Sequence, residues 1–98
     1  MSTPEKRYSQ NELEELFREQ EFDKKLPLCT RHLICDEEFS PQSVPARKFT
    51  KRRGYRYLDA QTNDEAAVIF HYTLADGTQR RVINRIVVNG KTCDAMLP

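Results

Sequence analysis

The densest chemical feature of the chain is the run Arg47-Lys48-Phe49-Thr50-Lys51-Arg52-Arg53-Gly54-Tyr55-Arg56-Tyr57, where six cations and three aromatic rings fall within eleven residues. Guanidinium and ammonium groups neutralise phosphates and release counterions, and flat rings offer stacking platforms to unpaired bases. Arg47, Lys48, Lys51, Arg52, Arg53, Tyr55, Arg56 and Tyr57 are therefore the candidate contacts for single-stranded RNA or DNA. The run carries no signature of an RNA-recognition, KH or zinc-knuckle module. Lys and Arg also protect an edge strand from aggregation, which is the plainer reason to find them there.

Cys29-x-x-His32-x-x-Cys35, with Cys93 further along, supplies the sulfur and nitrogen ligands that zinc prefers. The spacing matches neither a C-x2-C pair nor a finger. On a helix, Cys29 and Cys35 would lie about 120° apart, too far round to share one ion. The cysteines are read as small buried hydrophobes, and no metal or cofactor is expected. An odd cysteine count fits poorly with a disulfide-stapled secreted domain, so reduced thiols in the cytoplasm are expected.

Acid–base chemistry finds little to work with. His71 lies in the middle of an apolar run, and Asp59, Asp64 and Glu65 flank an expected loop without the spacing of a catalytic carboxylate pair. The chain's three glycines, Gly54, Gly77 and Gly90, are all expected at turns, and no glycine-rich phosphate cradle is expected. The expectation is a protein that is not an enzyme.

These residues must be positioned by a small number of elements. Ser9-Gln10-Asn11-Glu12 has the form of a capping box and opens a helix expected to run to about Lys25, ahead of Pro27. Leu13, Leu16 and Phe17 share one face of it. Glu14 with Arg18 and Glu21 with Lys25 are favourable i,i+4 pairs. Leu28–Cys35 is short and apolar, and reads equally as strand or helix. The carboxy-terminal half is rich in β-branched and aromatic residues and carries two turn dipeptides, Asp76-Gly77 and Asn89-Gly90. The fold class expected is α+β, an N-terminal helix packed across one face of a three- to four-stranded antiparallel meander. Residues 1–8 are expected as a flexible tail, and 9–98 as a single domain with a long basic loop at 36–53.

If both hairpins close with two-residue loops, one face carries Ala67, Ile69, His71, Val82, Asn84, Ile86, Val88, Cys93, Ala95 and Leu97, and this small, aliphatic face is assigned to the helix. The other carries Val68, Phe70, Tyr72, Arg81, Ile83, Arg85, Val87, Thr92, Asp94 and Met96, with Arg85 and Asp94 as cross-strand partners. Phe70, Tyr72, Arg81, Ile83, Arg85, Val87 and Met96 form the candidate partner-binding surface, because Arg, Tyr, Phe and Met are enriched in interface cores. A surface this apolar is uncommon on a monomer unless the 36–53 loop folds over it.

Composition sets the outer bounds. The chain has 98 residues, enough for one domain. Its formal charge of +1 conceals an asymmetry: residues 1–46 hold six basic and ten acidic groups, and residues 47–98 hold ten and five. No apolar run is long enough to span a membrane, and the polar start has no secretory core. The reading ranked first is a small regulatory or protein-interaction module, self-associating as a homodimer or docking a protein partner. Nucleic-acid binding ranks second, and no membrane partner is expected.

Overall fold

The structure is a computed structural model that describes residues 6–39 and 49–96. Ser9 caps helix α1 (Gln10–Glu19) and makes the forward bond of the expected capping box. Its hydroxyl accepts the Glu12 backbone N–H at 3.2 Å and donates to the Glu12 carboxylate at 3.3 Å. The helix has ten residues and does not continue to Lys25. Glu21 adopts a left-handed conformation (φ 53°, ψ 42°), and a second short helix, α2 (Phe22–Lys25), leads into a 3-10 turn at Leu26–Leu28. The break has a packing reason. In an unbroken helix Phe22 would lie about 140° round from Phe17 and face outward. The turn at Glu21 instead stacks the two rings, with centroids 5.4 Å apart. A left-handed non-glycine residue costs roughly 1–2 kcal/mol, and burying a Phe side chain returns about 1.5–3 kcal/mol.

The rest of the described chain is one mixed six-stranded sheet. Strands β1 (Arg7–Tyr8), β2 (Thr30–Glu38), β3 (Phe49–Leu58), β4 (Glu65–Leu74), β5 (Gln79–Val88) and β6 (Lys91–Ala95) lie in the order β1-β6-β5-β4-β3-β2. β2 to β6 run as an antiparallel meander, and β1 joins β6 in parallel. This corrects the expected fold class of a helix across a three- to four-stranded meander: the molecule is mostly sheet, with two short helices. Two further strands account for the difference. Leu28–Cys35, left open between helix and strand, forms much of β2, and Arg7–Tyr8, expected in a flexible tail, pairs with Asp94 and Ala95. The loop expected at 36–53 is strand at both ends, with Asp36–Glu38 closing β2 and Phe49–Arg53 opening β3. Its middle, 40–48, lies outside the described residues, and so does the question of what that segment covers.

The two hairpin turns behave differently. Asn89 and Gly90 both take positive φ (51° and 78°), and β5 pairs with β6 as a two-residue turn requires, Arg85 opposite Asp94 and Ile86 opposite Cys93. At Asp76-Gly77 the loop is one residue longer. The Leu74 N–H donates to the Thr78 carbonyl at 2.7 Å, leaving Ala75, Asp76 and Gly77 between them. The extra residue slips the register, so Phe70 faces Val82 and Ile69 faces Ile83. A bulge at Asn84 restores the expected pairing from Arg85 onward. A one-residue slip exchanges faces, and here the exchange is confined to the segment between the turn and the bulge.

Both helices lie on one side of the sheet, with α1 over β5 and β6. Leu13 and Phe17 meet Ile69, Ile83 and Ile86 there, and all five are fully buried. No helix of the described residues is long and apolar enough to cross a membrane.

Candidate functional site

The sheet face opposite the helices carries the best-formed cluster of surface groups. Tyr72 packs edge-on against Phe49, with centroids 4.9 Å apart, and Phe49 packs edge-on against Phe39 at 5.3 Å. Phe70 lies between Gly54 and Val82 in the pairing, under the Arg52 guanidinium at 5.6 Å from the ring centroid. Gly54 is where the backbone must make way for that ring. A Cβ built there would lie 2.5 to 2.9 Å from three ring atoms of Phe70. At the other end of the face, Arg85 donates to Asp94 at 2.6 Å and to Glu65 at 2.9 Å, and these carboxylates, Asp94 first, hold its guanidinium above the ordinary range.

Of the seven residues expected to bind a partner, Phe70, Tyr72, Arg85 and Val87 lie on this open face, while Met96 lies just past β6 and is largely exposed. Arg81 and Ile83 do not. The slipped hairpin turns both to the helix side, where Ile83 is fully buried and Arg81 caps the Phe17 ring at 4.5 Å while pairing with Glu14 at 2.8 Å and Asp23 at 3.4 Å. Val82 takes the place on the open face that Ile83 was expected to fill.

The basic–aromatic run is dispersed by the same geometry. Arg47 and Lys48 lie outside the described residues. Lys51, Arg52 and Arg53 pair across β2–β3 with Glu38, Glu37 and Asp36, the first at 3.6 Å and the last at 3.2 Å. Tyr57 is 8 % exposed and belongs to the core. Tyr55 is half-buried on the helix side of the sheet, with the Arg31 guanidinium 4.5 Å from its ring centroid. Only Arg56 remains broadly exposed and without a carboxylate partner among the described members of the run. The acidic triplet Asp36-Glu37-Glu38 was the readable signal: it matches the basic triplet in length and precedes it in the chain.

The remaining candidates have structural partners. The Asp59 carboxylate accepts the backbone N–H groups of Gln61 (2.8 Å) and Thr62 (3.1 Å), which hold it below the usual carboxylate range and tie the β3–β4 turn. Glu65 is bound to Arg85. The Cys29 thiol donates to the Lys25 carbonyl at 3.2 Å and is pushed up by burial and by Asp59, the opposite of an activated nucleophile. Cys35 lies on β2 and Cys93 in the core, and no three His, Cys, Asp or Glu groups among the described residues converge on a metal position. His71 is half-buried. Burial first, then the charges of Arg81 and Arg31, keep its imidazole below its ordinary range.

Comparison with protein-family models, with curated proteins and with solved structures finds no match to this chain.

Proposed function

We propose that the chain is a small, non-enzymatic protein-interaction module that self-associates and docks a protein partner on the sheet face opposite its helices. One observation carries the reading: both described helices pack on the same side, leaving Phe70, Tyr72 and Val82 on a face that no described helix covers. Aromatic groups on a rigid sheet dock a partner at low entropic cost, since few rotamers must be frozen. Arg52 and Arg85 rim the apolar patch, each already neutralised by carboxylates, as suits a surface that must desolvate.

Nucleic-acid binding ranks second, because Lys51, Arg52 and Arg53 already face carboxylates and Tyr57 offers no free ring.

The test compares the native chain with Val82→Asp, which places a charge on the open face beside Phe70 and leaves the helix side untouched. A protein retained from native extract by the first and released by the second, and rebound from purified components, is the expected outcome. If nothing distinguishes the two forms, docking on this face is excluded. Sedimentation at rising concentration tests the self-association.

A further inference from the structure

We infer that two copies of this chain join edge to edge through antiparallel pairing of β2 with the partner's β2, an inference that rests on the self-association proposed above. The other edges of the described sheet are shorter or partly capped. β1 has two residues, and the overhang of β5 beyond β6 is capped at Ile83 by the Gln10 side chain. β2 ends the sheet with nine residues, and at its centre Leu33 and Ile34 are 55 % and 50 % exposed. A long edge strand with an apolar centre presents a row of N–H and C=O groups along its outer side and is a template for another strand of matching charge pattern.

The occupant is specified by the charge pattern. β2 reads Thr-Arg-His-Leu-Ile-Cys-Asp-Glu-Glu, basic before its centre and acidic after it. A second copy running antiparallel meets basic with acidic at both ends, whereas a parallel copy would oppose like charges. The bulge between Leu33 and Cys35 then fixes the register. Arg31 lies opposite Tyr57 and Asp36 opposite Arg53, so both point to the helix side of the sheet although they are five positions apart. Opposed residues in a continuous sheet must share a face. The pairing that satisfies this sets Arg31 against the partner's Asp36, His32 against the partner's Cys35, and Leu33 against the partner's Ile34 about the twofold axis. Arg31 has no carboxylate partner among the described residues and stacks on Tyr55. Asp36 accepts both its bonds from Arg53 and keeps lone pairs for a second guanidinium. The union buries the two apolar residues and brings the two open faces side by side.

The test is sedimentation of the full chain. Native protein is expected as a dimer, and Ile34→Lys, an exposed substitution with an unchanged melt, is expected to weaken it by roughly tenfold or more. Arg31→Glu and Asp36→Arg are each expected to weaken homodimers. Mixed together they regain a heterodimer, because both inter-chain pairs are then of opposite sign. If Ile34→Lys leaves the dimer intact, or the mixture associates no better than either variant alone, edge pairing is overturned while self-association stands. If native protein is monomeric to about 0.5 mM, which excludes association tighter than that, both fall.

Discussion

The Gln10 side chain makes two hydrogen bonds to the backbone of Ile83, its amide N–H donating to the Ile83 carbonyl at 2.7 Å and its oxygen accepting the Ile83 N–H at 3.0 Å. The first residue of α1 thus takes the position of a neighbouring strand where β6 has run out, and it fixes the helix on the sheet beside the Asn84 bulge. Gln10→Leu is expected to cost about 1–3 kcal/mol, because two part-buried backbone groups lose their partners. Urea unfolding measures the loss, and faster hydrogen exchange at the Ile83 amide would locate it.

Gly54→Ala is expected to destabilise by about 1–3 kcal/mol, the usual range for overpacking, since the new methyl meets the Phe70 ring. Phe70→Leu should recover part of that loss in a double-mutant cycle. Additive losses would mean that the ring does not set the demand for glycine.

The ladder of Asp36, Glu37 and Glu38 against Lys51, Arg52 and Arg53 predicts how the chain meets a polyanion. Replacing the three acids with Ser should raise affinity for a labelled single-stranded oligonucleotide by roughly tenfold or more at low salt, with a steeper salt dependence, because three cations are then free to release counterions. The stability cost should be small, since exposed pairs contribute about 0–1 kcal/mol each. Strong binding by the native chain at physiological salt would reverse the ranking of the two functional readings.

His71 gives a pH dependence whose sign is fixed by burial. Its folded value is held below the unfolded one, so the unfolded chain takes up the proton first as pH falls. The stability is fully present above about pH 6.5, the ordinary value for His. It is lost as pH drops toward the folded value and levels off below it. His71→Gln should remove this step from thermal melts recorded between about pH 5 and 8, leaving the carboxylate titrations at lower pH.

What the sequence reveals depends on how local each determinant is. The Ser9 N-cap and the Asn89-Gly90 turn are decided within four residues, and both form where the sequence places them, although the Glu12 carboxylate takes the Ser9 hydroxyl rather than its backbone N–H. Asp76-Gly77 looks equally diagnostic. Yet the same dipeptide serves a three-residue loop whose Asp76 carboxylate accepts the Thr78 N–H, and nothing nearby announces the compensating bulge at Asn84. That single residue moved Arg81 and Ile83 off the expected surface. β2 escaped because an edge strand with a bulge shows no alternation of apolar and polar residues. The break at Glu21 serves a ring contact with Phe17, which periodicity along one helix does not reveal.

The parallel seam between β1 and β6 has a kinetic consequence. Arg7 meets Asp94, and the Met96 N–H donates to the Tyr8 carbonyl at 2.9 Å, so one contact joins nearly opposite ends of the described chain. Contacts of such wide separation form late and slow folding. During synthesis, Tyr8 must therefore wait without its berth until β6 has left the ribosome, and the hairpins of β3 to β5 are expected to assemble before the sheet acquires its outer strand.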